Sequence, residues 1–138
     1  MKRVMALDVG FKKIGVAVSD PLRLTARPLK VIYRKSNRET FGELLEIINK
    51  ENVGEVVIGV PVNKKGEVTK IGEKIKKFGE KFRQFLTESG VQVELHYADE
   101  SFTTYEAREL ARQLNRNERE LDHFAAALLL TEWLQKSG

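Results

Sequence analysis

At 138 residues, 41% of them hydrophobic, the chain is long enough for one sizeable core and too short for two, so a single domain spanning residues 1–138 is expected. The absence of cysteine excludes disulfides, thiolate metal sites and a cysteine nucleophile. Lysine and arginine outnumber aspartate and glutamate by 24 to 20, and the resulting net charge of +4 suits a polyanionic partner without requiring one.

The first residues, MKRVMALDVG, lead straight into an apolar strand from Arg3 to Asp8. They lack the longer apolar run and small-residue cleavage site of a signal peptide, and no later stretch reaches membrane-spanning length, so a cytoplasmic location and no membrane partner are expected. After the interruption Val9-Gly10-Phe11-Lys12-Lys13, alternating residues from Ile14 to Ser19 predict a second strand joined to the first by a glycine-containing hairpin. Asp20-Pro21 signals a turn, and Arg27 to Tyr33 is a third β-rich stretch.

Ser36-x-x-Glu39 is a capping-box pattern, and Phe41, Leu44, Leu45 and Ile48 follow at helical spacing, predicting a helix to about Asn52. Glu55 to Val60 reads as a strand buried on both faces, followed by a loop from Pro61 to Gly66. Val68, Ile71, Ile75, Phe78, Phe82 and Phe85 mark a long amphipathic helix with a basic outer face, closed by Gly90. Val91, Val93, Leu95 and Tyr97 alternate with polar residues and predict an edge strand. Thr103-x-x-Glu106 and Asn117-x-x-Glu120 are capping patterns for two final helices, the first reaching about Leu114.

Asp8, the Asp99-Glu100 pair and Asp122 lie in or beside apolar elements, where an unpaired carboxylate costs several kcal/mol. Each also has an ordinary explanation. Asp8 reads as a turn residue before Gly10, Asp99 and Glu100 as a solvated loop, and Asp122 as a cap, although Asn117 is better placed to cap. Clustered carboxylates without a histidine cage suit a hard cation, magnesium (Mg2+) or manganese (Mn2+). His96 and His123 belong to no metal-ligand spacing. Asp8-x-Gly10-x-Lys12-Lys13-x-Gly15 reads either as a glycine hairpin with exposed lysines or as a phosphate-approaching turn, and the stretch from Ile58 to Gly66, containing Asn63, has the same two readings.

ALDVGFKKIGVAVSD (6–20), TARPL (25–29), VVIGVPVNKKG (56–66), DESFTTYEA (99–107) and LDHFAAALLLTEWL (121–134) together resemble the YqgF/RuvX family of bacterial Holliday junction resolvase-like proteins and pre-16S ribosomal RNA nucleases. The resemblance implies a ribonuclease H-like α/β fold, a five-stranded mixed sheet of order 3-2-1-4-5 with strand 2 antiparallel, flanked by helices. It also implies that Asp8, Glu100 and Asp122 form a catalytic, metal-holding acidic triad, with Asp99 beside it. Where the family usually has Asp-Glu-Arg, this chain has Asp99-Glu100-Ser101, and its basic residues before Asp122 are Arg112, Arg116 and Arg119.

The expected chemistry is two-metal phosphodiester hydrolysis, with Asp8 bridging two ions roughly 3.5–4 Å apart. Lys12, Lys13, Asn63 and Arg116 are candidates for phosphate contact. The expected substrate is nucleic acid, structured RNA at the ends of a 16S ribosomal RNA precursor, on the resemblance alone, with ribosomal precursor particles as partners. Branched DNA cut by a Holliday junction resolvase is the alternative, and a non-catalytic nucleic-acid-binding module is a third reading. Junction resolution calls for a homodimer and RNA trimming only for a monomer.

Overall fold

The computed structural model describes residues 2–101, 110 and 118–137, with side chains for all of these except 118–123 and 137. Five strands form one sheet of order β3-β2-β1-β4-β5. Strands β1 (Arg3–Val9), β2 (Lys13–Ser19) and β3 (Ala26–Tyr33) form an antiparallel meander, and β4 (Val53–Val62) and β5 (Glu94–Ser101) add parallel to β1. Helices α1 (Asn37–Lys50) and α2 (Lys70–Glu88) cover one face. The last helix, α3 (Glu118–Ser137), lies on the other.

Strand alternation explains the two layers. Met5, Leu7 and Val9 of β1 join Val56, Ile58 and Val60 of β4 beneath α1 and α2, while Val4, Ala6 and Val57 turn to the opposite face and meet Ala126 and Leu130 of α3. Phe41 of α1 packs against Phe78 and Phe82 of α2, each with ring centroids 5.2 Å away in tilted arrangements. Phe82 is wholly buried, so its truncation to alanine should cost about 3–5 kcal/mol.

The helix ends follow local chemistry. Ser36 caps α1, its hydroxyl accepting from the Glu39 N–H at 3.2 Å and donating to the Glu39 carboxylate, as its capping box predicts. Gly90, at φ +73°, ends α2: its N–H donates to the Thr87 carbonyl and that of Val91 to the Leu86 carbonyl, the paired bonds of a Schellman stop.

Several boundaries differ from the sequence reading. Helix α1 stops at Lys50, and Asn52 takes the left-handed conformation at φ 53°. Helix α2 starts at Lys70 with Thr69 as its cap, its hydroxyl accepting from the Gly72 N–H at 3.1 Å, while Val68 makes an isolated bridge to Val62. Strand β4 runs from Val53 through Pro61 to Val62, a proline tolerated where pairing with β1, which reaches only Ile58, has ended. Strand β5 is displaced toward the C-terminus: it begins at Glu94, not Val91, and contains Asp99 and Glu100, which pair with Val60 and Pro61 of β4. Ladder pairing with a central strand overrides the low strand propensity of two consecutive acids. The helix expected from Thr103 to about Leu114 lies outside the described residues apart from Leu110. No helix among the described residues is long and apolar enough to cross a membrane.

Candidate active site

Asp8 occupies the last turn of alternation on central β1 and is 4% exposed. It shares the parity of Val4 and Ala6, so its side chain belongs to the face covered by α3. Both strands beside it carry glycine at this level. Gly15 of β2 is its register partner, and Gly59 of β4 is one step beyond the Leu7–Ile58 pair. Glycine on both strands beside a central carboxylate is the pattern of a position that another group approaches closely.

Glu100 approaches from the far side of β4. It is half-buried and shares the parity of Ala98, again on the α3 face. Strands β1 and β5 stand about 10 Å apart with β4 between them. Gly59 bridges that gap by omission: a Cβ placed there would lie 3.2 Å from Glu100 Oε2 and 3.2 Å from Leu129 Cδ2. The Glu100 carboxylate therefore reaches over β4 from β5, toward the column that holds Asp8.

Asp122 belongs to α3, one turn before Ala126 and two before Leu130, both buried against this face. Its side chain lies outside the described residues, and so does Arg116. Asp99 has the opposite strand parity to Glu100, although at the sheet edge it lines a cavity with Leu129 and Glu132 of α3. Its odd position in β5 gives it the parity of Leu95 and Tyr97, which pack toward α2, and it is exposed.

The hairpin after Asp8 closes with the Gly10 N–H donating to the Lys13 carbonyl at 2.8 Å. Lys12 is exposed, and Lys13 lies with its ammonium 5.3 Å from the Tyr33 ring centroid. Asn63 organises the turn after β4. Its Oδ1 accepts from the N–H groups of Lys65 and Glu67 at 2.9 Å, and its Nδ2 donates to the Glu67 carboxylate at 3.2 Å. Gly59 is not among the candidate residues of the sequence, although a glycine inside the apolar run from Val56 to Val62 is a signal of close approach.

A second acidic group stands at the other end of the same face. Glu55, Glu94 and His96 offer ligand atoms within 4.8 Å of one another. Glu94 precedes Glu100 by six residues, about 20 Å of strand, so the two groups are separate. Glu55 is already engaged: Arg23 Nη1 lies 2.9 Å from one oxygen and Trp133 Nε1 donates to the other at 2.9 Å. His96 Nε2 is 3.3 Å from Glu94 and 3.8 Å from Glu55, with its ring 5.5 Å from Trp133. An ion pair and a stacked pair thus account for this cluster. An acid-bearing fold of this kind suits a divalent metal ion.

Comparison with known proteins finds relatives along nearly the whole chain. A family described as "RuvX: Holliday junction resolvase" matches residues 2–136. A "Putative pre-16S rRNA nuclease" of Carboxydothermus hydrogenoformans is 40% identical over 136 residues, covering 96% of this chain and 95% of the relative. A protein of the same description from Maridesulfovibrio salexigens is 32% identical over 139 residues, covering 98% and 99%. Among solved structures, T. thermophilus RuvC in complex with a Holliday junction substrate superposes with a TM-score of 0.56 at 17% identity, covering 99% of this chain and 96% of that one. The yeast mitochondrial Holliday junction resolvase Ydc2 does so at 0.52 and 10%, covering 97% and 79%. At these identities the structural likeness speaks for a shared ribonuclease H-like fold.

Proposed function

From the premise that this chain belongs to the RuvX family of Holliday junction resolvases, a phosphodiester-hydrolysing enzyme family, we propose that it is a magnesium-dependent endonuclease that trims the ends of precursor 16S ribosomal RNA. The observation that carries the reading is the buried Asp8 set between two glycine positions, with the Glu100 carboxylate reaching across one of them. The names of the curated relatives favour the ribosomal precursor over a DNA junction.

The residues fit a hard cation. Their donors are carboxylate oxygens, and Asp8 and Glu100 share the parity of the α3 face, the second reaching in over Gly59. Asp8, Glu100 and Asp122 would hold the metal. When bound, magnesium supplies a water of lowered pKa and neutralises charge on the leaving oxygen. The chain's own contribution is positioning. The central strand fixes Asp8, the edge strand brings Glu100 in over β4, and α3 closes the face through Ala126 and Leu130, limiting bulk water. Lys12 and Lys13 on the hairpin, and Arg116, supply cations for phosphates without reading bases.

Magnesium-dependent cleavage of a 16S precursor, a single-stranded RNA and a four-way DNA junction tests the reading, with Asp8→Asn as control. Selective trimming of the precursor is the expected result. Symmetric nicking of the junction with the RNAs untouched would reassign the chain to junction resolution.

A further inference from the structure

Val9 and Gly10 carry the chain from buried Asp8 to the tip of the β1–β2 hairpin, where Phe11 is 63% exposed. Beside that ring a groove of about 420 Å³ opens between the hairpin and α2. Ile71 and Phe78 belong to its apolar floor, and Arg34, Lys35 and Lys74 are its cations. The groove lies on the α1 and α2 side of the sheet, around the hairpin from the acids, and nothing in phosphodiester hydrolysis itself accounts for it.

The wall is firmly built. Arg34 Nη1 donates to the Gly10 carbonyl at 2.8 Å, its guanidinium sits 4.8 Å from the Phe78 ring centroid, and its N–H donates to the Lys12 carbonyl. These contacts fix the hairpin, and with it Phe11, against α2. Lys35 is partly neutralised by Glu43 at 3.3 Å. Lys74 extends the charge along the helix, because Lys70, Lys74, Lys77 and Lys81 fall on one exposed stripe about 16 Å long, with Glu73 and Glu80 interspersed.

We propose that this groove is a subsite for an unpaired stretch of the nucleic-acid substrate, with one base stacked on Phe11 and the adjoining phosphates held by Arg34, Lys35 and Lys74. The proposal rests on the nuclease reading and adds where an unpaired stretch of the strand lies once it has passed around the hairpin from the acids. A lone exposed phenylalanine would be ordinary. An exposed aromatic face rimmed by cations is the combination that single-strand binding uses, because every base has a π-face and the backbone charge is met separately. Bases inside a duplex already stack on both sides, so the ring favours unpaired nucleotides.

The test uses the full chain in EDTA, where binding is read without cleavage, with a single-stranded RNA of about 12 nucleotides, a DNA of the same sequence and the matching RNA duplex. Phe11→Ala should weaken single-strand binding by about 5- to 150-fold at an unchanged melting temperature, and Phe11→Tyr should restore it. Lys74→Glu should weaken it and flatten its salt dependence. In Phe11→Trp the added emission should be quenched on binding, whereas Trp133, at the opposite end of the sheet, should respond little in the wild type. Wild-type affinity in Phe11→Ala, an unquenched Phe11→Trp at saturation, or an equal Phe11 dependence with the duplex would overturn the subsite. Parallel assays with magnesium separate the two readings. Cleavage without Phe11-dependent binding removes the subsite alone, and Phe11-dependent binding by a wild type that never cleaves removes the nuclease reading alone.

Discussion

Gly59 and Glu100 are matched across the β4–β5 boundary: the glycine leaves vacant the position from which a Cβ would press on the glutamate carboxylate at 3.2 Å. Adding that carbon should displace the Glu100 carboxylate or Leu129 by a few tenths of an ångström. Gly59→Ala should lower the cleavage rate while leaving thermal stability nearly unchanged, since alanine in a strand regains about 0.5–1 kcal/mol of backbone entropy against the crowding. Gly59→Val should go further, toward a loss of about 100-fold in rate, the scale on which misplaced catalytic groups act. Cleavage kinetics beside melting curves distinguish this from simple destabilisation, which would move both together.

The two adjacent acids of β5 should behave oppositely. Glu100→Gln should remove most cleavage, because its carboxylate is on the α3 face with Asp8. Asp99→Asn should leave the rate at the wild-type level, because Asp99 has the parity of Tyr97 and is exposed. Single-turnover rates of the two variants at saturating magnesium check this. Equal losses would place both acids in the site.

How far the sequence could be read depended on which interaction decided each element. The meander, the Ser36 capping box and the apolar stripe of α2 are local signals, and local signals survived folding. The Thr69 cap was illegible because its third residue is Gly72 rather than an acid, so no capping box advertised it. The extent of β5 was illegible for a different reason. Asp99 and Glu100 are poor strand formers placed there by pairing with β4, and only that register reveals which acid faces Asp8. The acids Asp8 and Glu100 draw the eye as chemistry, Glu100 only through the family resemblance, whereas Gly59, over which the Glu100 carboxylate lies, carries no chemistry of its own.

The β2–β3 turn provides a pH-dependent prediction. Asp20 accepts through Oδ1 from the N–H groups of Leu24 and Thr25, both at 2.7 Å, and through Oδ2 from Leu22 at 3.2 Å. The bond from the Thr25 backbone, foremost, holds its carboxyl below the ordinary value of 3.8. A carboxylate depressed in the folded state stabilises it fully above that ordinary value, and the contribution is lost as pH falls through the lower folded-state value. Asp20→Ala should therefore melt below the wild type at neutral pH and converge with it in acid. Melting curves from pH 7 down to about 2 check the sign.

The central claim is that Asp8, Glu100 and Asp122 hold one metal site, and magnesium-dependent melting of the wild type and Asp8→Asn tests it most directly, with cleavage measured on the same samples. Like charges gathered on one face burden the metal-free protein, so Asp8→Asn should be as stable as the wild type without magnesium, or more so. Magnesium at about 100 times its dissociation constant should stabilise the wild type by about 2.7 kcal/mol. Asp8→Asn should gain almost none of this and should not cleave. An Asp8→Asn protein that magnesium stabilises as strongly as the wild type, or that cleaves at the wild-type rate, would contradict the account.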